Sequence, residues 1–210
     1  MGSKYSNKRF PGGKRRVGTK DVKMVIYIAT EGITELLYFE LECFTHPRIE
    51  IISIPTEGGR SDAKHVLDNL SNYKEQHEDE IEDGDQFWLV FDVDKKTIRN
   101  LSSVATDARK QGFSCAISNP CFELWLYLHH SKDKLKDKMT SQEMCKLHRA
   151  KTGDNKTRLK PDNYKDKIET AIKNAKARDH SDSGDRWPQK TGTHVYKLVE
   201  AIKEVINENK

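Results

Sequence analysis

Unbroken apolar runs are few along this chain, and each is short. Phe87-Trp88-Leu89-Val90-Phe91 is aromatic and β-branched, follows an acidic turn at Asp83-Gly84-Asp85, and predicts a strand buried on both faces. Similar runs predict strands over 22–29, 49–54 and 113–118. Between them apolar residues recur at helical spacing. Leu36, Leu37, Phe39, Leu41, Cys43 and Phe44 predict a helix over 34–45 capped by Thr34. Ala63, Val66, Leu67 and Leu70 form the apolar face of a helix that opens at Ser61 or Asp62 and runs to about residue 77. Leu101, Val104, Ala105 and Ala108 mark a third over 98–111, closed by Gly112. Asn119 as N-cap and Pro120 as first helical residue predict a helix to about residue 130, apolar almost all round and therefore buried. Beyond residue 131 the pattern is polar and helical. It predicts helices over 141–150, 162–178 (with Pro161 at the boundary) and 195–206, the last capped by Thr193.

Strands that alternate with helices of ten to fifteen residues imply right-handed βαβ crossovers. The expected fold is α/β, a mostly parallel four-stranded sheet flanked by helices, spanning 21–130. A flexible basic arm (1–20) precedes it, and a basic helical part (131–210) packs on it. Ligands of such sheets bind beyond the carboxyl ends of the strands. Asp92 and Asp94 follow the apolar run at Phe87–Phe91 directly, two residues apart and so on one side of an extended chain. Glu31 follows the first strand in Thr30-Glu31-Gly32, which places it on the same rim. Carboxylates gathered at a strand end repel unless a proton or a cation lies between them. A hard divalent ion such as Mg2+ or Mn2+ suits them; the plain alternative is a solvated loop neutralised by Lys95 and Lys96. Glu123, flanked by Phe122, Leu124 and Trp125, must be paired, protonated or on a metal if it is buried, or else serves the helix dipole.

The chain has 210 residues, 33 % charged and 35 % hydrophobic, with a mean hydropathy of −0.84. No segment approaches the roughly 20 apolar residues of a membrane span, and the basic N-terminus lacks the apolar core of a secretory signal. The four cysteines form no CxxC pair and show no zinc spacing, which fits a reducing, cytoplasmic setting. The net charge of +4 is unevenly spread. Residues 1–20 hold seven Lys/Arg and no acid, 78–85 hold six acids and no base, and 132–178 hold fifteen Lys/Arg against seven acids. Clustered basic segments beside a metal site point to a polyanionic partner, against the plain reading of solvated Lys-rich helices. Candidate phosphate contacts are Arg15 and Arg16 in the arm, the Gly58-Gly59-Arg60 turn, Asn119, and Lys190 and Thr191 ahead of the last helix, with His194 beside them. The loop 151–160 has no evident apolar anchor and is expected to be a mobile, phosphate-facing segment, while Trp187 should anchor its own loop on the body.

The run Ser118-Asn119-Pro120-Cys121-Phe122-Glu123-Leu124-Trp125-Leu126 resembles the signature of the RloB-like family of phage-defence and abortive-infection proteins. The basic arm with Arg15-Arg16, the Glu31-Gly32-Ile33-Thr34-Glu35 segment, Phe91-Asp92-Val93-Asp94 and the closing Thr191-Gly192-Thr193-His194-Val195 agree with it in order. The resemblance implies a Toprim-like, Rossmann-like fold in which Glu31, Asp92 and Asp94 bind metal and do acid/base work, with Glu35 or Glu123 available to a second metal. The implied activity is Mg2+- or Mn2+-dependent phosphodiester hydrolysis of DNA or of RNA such as tRNA, in antiviral defence. On this reading Glu31, Asp92, Asp94, Glu123 and His194 are the catalytic candidates. Two alternatives stay open. One is a non-catalytic nucleic-acid-binding or phage-sensing module working with a partner ATPase, since the chain carries no Walker-type loop of its own. The other is a metal-dependent nucleotidyl transferase. No heptad or exposed apolar stripe argues for an oligomer.

Overall fold

The computed structural model describes residues 24–55, 62–93, 98–179 and 186–207. Five strands form one sheet: β1 (Met24–Thr30), β2 (Ile49–Pro55), β3 (Gln86–Asp92), β4 (Ser114–Asn119) and β5 (Gly192–Thr193). Their order is β2-β1-β3-β4-β5. The first four are parallel, and β5 pairs antiparallel with the end of β4, Ser118 opposite Thr193 and Asn119 opposite Gly192. The expected α/β fold is therefore present with one extra edge strand. Two residues are too few to give a strand pattern in sequence.

The helices are α1 (Ile33–Phe39), α2 (Ala63–Gln76), α3 (Ile98–Lys110), α4 (Glu123–Leu128), α5 (Ser141–Thr152), α6 (Ile168–Lys176) and α7 (Val195–Asn207). Strand parity sorts them into two layers, because alternate side chains face opposite sides of a sheet. Val25, Tyr27, Ala29, Phe87, Leu89 and Phe91 pack with α2 and α3. Ile26, Ile28, Trp88, Val90 and Ala116 pack with α1 and α4–α7. Both faces of β1 and β3 are thus covered, as their unbroken apolar runs require. Within the described residues, no helix is long and apolar enough to cross a membrane.

Several boundaries differ from expectation for local reasons. The N-cap of α1 is Gly32, not Thr34. Thr34 lies inside the helix and its hydroxyl donates to the Lys156 carbonyl, 3.0 Å. After α1 the chain turns through an extended Leu41 into a 3-10 turn at Glu42–Phe44, which sets Phe44 against Tyr38 and Phe39 with ring centroids 5.3 and 5.8 Å apart. Asp62 caps α2 as expected, accepting from the Lys64 and His65 amides. Asn119 is not an N-cap. It ends β4, its peptide bond to Pro120 is cis, and its side-chain amide donates to the Pro188 carbonyl, 2.8 Å, so α4 starts only at Glu123. Residues 131–140 are not helical. They are stapled to the loop before β5 by Thr191 N–H to Asp137 O, Met139 N–H to Thr191 Oγ1 and a Lys190–Asp137 ion pair of 2.7 Å. Trp187 packs against the core on the α2–α3 side of the sheet, as expected of an anchor.

Candidate metal centre

β1 and β3 are neighbours, so their carboxyl ends emerge side by side. The Glu31 amide donates to the Val90 carbonyl, 3.1 Å, which carries the ladder one residue past β1. Its carboxylate then crosses to β3, where Oε2 accepts the Asp92 amide at 3.1 Å. Asp92 closes β3 in register with Ser118. By parity it shares the face of Trp88 and Val90, the face that α1 and α4 cover. Those two helices deliver the remaining acids. Glu35 sits in the first turn of α1 at 5 % exposure, and Glu123 opens α4 at 4 %. Gly32 leaves room for this arrangement, since a Cβ there would stand 3.0 Å from Glu35 Oε2.

Crowding and burial perturb these carboxyls strongly. Glu35 is raised from 4.5 to about 7, chiefly by burial and further by the charges of Glu123 and Glu31, against its own backbone hydrogen bond and Lys156. Asp92 is pushed well above the usual carboxylate range, again first by burial and then by Glu35, Glu31 and Glu123. Among the described residues, Lys156 brings positive charge to these acids, its Nζ 3.6 Å from Glu123 Oε1. Burial disfavours its ammonium, but Glu123, Cys145, Cys121 and Asp92 outweigh that and raise its pKa.

Lys156 was not singled out in the sequence. Its loop proves folded, contrary to the expected mobile segment. Asn155 and Arg158 exchange backbone hydrogen bonds, and Leu159 packs on the core. Buried Asp154 accepts through Oδ2 from the Tyr164 hydroxyl (2.6 Å), Asn163 Nδ2 (2.9 Å) and the Lys160 amide (3.3 Å). The anchor is a polar network rather than an apolar side chain.

A second group of donors adjoins Glu123. Cys121 lies in the turn between β4 and α4, and Cys145 lies on α5. Both are free thiols. Hydrogen bonding to Cys145, then burial, raises Cys121, and the same bond lowers Cys145.

The structure joins Glu31 to Asp92 through the Asp92 amide and sets the expected Glu35 and Glu123 near enough to raise the Asp92 carboxyl. Asp94 lies outside the described residues, as do Arg15, Arg16, Gly58, Gly59 and Arg60. His194 goes elsewhere. It is 2 % exposed, Nε2 faces Asp179 Oδ1 at 3.5 Å, and it lines a cavity of about 460 Å³ with Trp88, Ser114 and Lys197, toward the amino ends of β3 and β4. Antiparallel β5 turns the chain back toward that end. Asn119, Lys190 and Thr191, expected at phosphates, spend their polar groups on Pro188, Asp137 and Met139. His129 is structural: Nδ1 bonds the Trp125 carbonyl and so must be protonated, which leaves Nε2 to accept from the Tyr38 hydroxyl, each contact 3.0 Å.

A search of curated proteins and a search of solved structures each returned no match. The family model described as RloB-like protein matches residues 26–202, a span that contains the four acids, the Cys121–Trp125 run and the lysine hairpin. On that match the chain belongs to the RloB-like family.

Proposed function

We propose that the protein is a divalent-metal-dependent nuclease that hydrolyses phosphodiesters of DNA or RNA in antiviral defence. The observation that carries this reading is the contact between Glu31 and Asp92 on the carboxyl rim of β1 and β3, beside buried Glu35 and Glu123 whose charges help raise the Asp92 carboxyl. Glu31 and Asp92 offer only oxygen donors, which fits Mg2+ or Mn2+. Asp94, two residues on in sequence, would join them. When bound, such an ion would polarise the scissile phosphate and favour attack by water.

The chain's own residues do the rest. Glu31 braces the end of β3 through the Asp92 amide and so fixes the spacing of the first two acids. Glu35 and Glu123 surround them with negative charge that a cation relieves. Lys156, on a hairpin tied to α1 through Thr34, carries a positive charge to the rim, where it can face a phosphate oxygen. The Lys/Arg excess of 132–178 supports a sequence-independent hold on the nucleic-acid backbone.

The test is incubation of the full chain with end-labelled single-stranded DNA, duplex DNA and tRNA in Mg2+, Mn2+ or EDTA. Cleavage that EDTA abolishes, and that Glu31→Gln and Asp92→Ala lose while still binding substrate, is the expected result. Label incorporated from a nucleotide would make the protein a transferase instead. A salt-sensitive gel shift with no product, with or without a partner ATPase, would make it a binding module.

A further inference from the structure

We propose a second, chemically distinct metal site, a zinc-type centre held by Cys121 Sγ, Cys145 Sγ and a Glu123 carboxylate oxygen. These three donor atoms all lie within 4.8 Å of one another. Tetrahedral zinc at roughly 2.3 Å from sulfur and 2.0–2.2 Å from oxygen spaces its donors roughly 3.5–3.8 Å apart, so side-chain adjustment of about 1 Å closes the site. The donors come from three places the fold holds firmly. Cys121 is in the turn after β4, Glu123 begins α4, and Cys145 is on α5, which a Thr140–Glu143 capping box fixes at its start. Cys121 and Glu123 are 2 % and 4 % exposed. Two buried or half-buried sulfurs beside a buried carboxylate select a softer ion than the all-oxygen rim does.

The charge balance also fits. On binding, the two thiol protons leave to solvent and the Cys121 contact to the Ser141 carbonyl, 3.9 Å, is given up. Two thiolates and one carboxylate around a divalent ion leave one net negative charge. Lys156 Nζ, 3.6 Å from Glu123 Oε1, cancels it. Buried charge is tolerated only when paired in this way. Three protein donors leave the fourth tetrahedral position open, the pattern of a reactive rather than a purely structural zinc. The site shares Glu123 with the rim but uses neither Glu31 nor Asp92, so it stands whether or not those two acids support cleavage.

Cobalt substitution tests it. The full chain, reduced and freed of metal, is titrated with Co2+ and the thiolate-to-cobalt charge-transfer band is read in the near ultraviolet. The expected result is a band that saturates at one thiolate-bound Co2+ per chain and is displaced by one Zn2+. Cys145→Ser should lose the band and weaken Zn2+ binding by more than the roughly 10–100-fold that loss of an outer hydrogen-bond partner costs. Cys43→Ser and Cys115→Ser should keep it, and so should Asp92→Asn. Because Cys145 is only half-buried and its serine variant conserves shape, circular dichroism will show a folded control. In the unmutated chain, Zn2+ should shield Cys121 and Cys145, and not Cys43 or Cys115, from alkylation mapped by mass spectrometry. Absence of a thiolate band at millimolar Co2+, a band that survives Cys145→Ser, or a band lost in Asp92→Asn would each overturn the proposal.

Discussion

Glu35 allows the electrostatics of the rim to be tested without a substrate. Its carboxyl is raised from 4.5 to about 7 by burial and by Glu123 and Glu31. At ~1.4 kcal/mol per unit, keeping it ionised costs the metal-free fold roughly 3 kcal/mol. The direction follows from proton counts. Between pH 4.5 and about 7 the folded chain holds the Glu35 proton more tightly than the unfolded chain does. Glu35 therefore favours folding most below that window, and the contribution is lost as pH rises through about 7. Glu35→Gln keeps the shape and removes the charge. In EDTA at about pH 8 it should raise stability by up to roughly 3 kcal/mol, or roughly 6–12 °C in Tm for a chain of this size, and at about pH 5 by less than about 1 kcal/mol. Adding Mn2+ should stabilise the unmodified protein more than Glu35→Gln, because the cation relieves the charge the variant lacks. Urea and thermal denaturation at the two pH values, with and without Mn2+, measure all of this. A variant no more stable than its parent at about pH 8 in EDTA would refute the reading that burial and neighbouring acids disfavour the Glu35 carboxylate.

Three further outcomes rest on separate contacts. Burial, first among its causes, lowers the His129 imidazole from 6.5 to about 3, so its neutral form supports the fold above pH 6.5 and that support fades as pH falls toward 3. The stability difference between the unmodified chain and His129→Gln should shrink by roughly 2 kcal/mol between about pH 6.5 and pH 4.5, read by urea denaturation, and an unchanged difference would contradict the assignment. Asp154→Ala strips Tyr164, Asn163 and Lys160 of their shared acceptor and should cost about 2–4 kcal/mol, with amide exchange quickening at Asn155–Arg158 if that network holds the hairpin. Lys156→Met takes the positive charge from beside buried Glu123, so it should lower Tm modestly in EDTA and slow cleavage by ~10²-fold if that charge faces the phosphate.

Much of this arrangement was legible in the sequence because the signals were physical and local. Runs such as Phe87–Phe91 admit few readings other than a doubly covered strand, and a parallel sheet then forces Glu31 and Asp92 onto one rim. Glu123 stood out as a charge among aromatic neighbours, and its burial followed. What escaped depends on contacts distant in sequence. Lys156 is one cation among many in 132–178, and contacts such as the Thr34–Lys156 hydrogen bond, across 122 positions, bring it to the acids. Cys121 and Cys145 belong to no spacing motif, and it is the packing of α4 on α5 that sets them together. His194 stands just before a helix, the place of an anion contact in sequence. The two-residue strand that redirects it leaves no pattern, and its imidazole meets Asp179 rather than the rim. Asn119 had the chemistry of a cap, but β5 and the Pro188 carbonyl hold it extended.

Mn2+ binding tests whether Glu31 and Asp92 hold a divalent ion. The full chain, freed of metal, is titrated with Mn2+ and the free ion is followed by its electron paramagnetic resonance signal, in parallel with Glu31→Gln and Asp92→Asn. The account predicts saturable binding that Mg2+ competes away and that weakens at least ~10-fold in each variant. Binding that is absent in the unmodified chain, or unaltered in both variants, would contradict it.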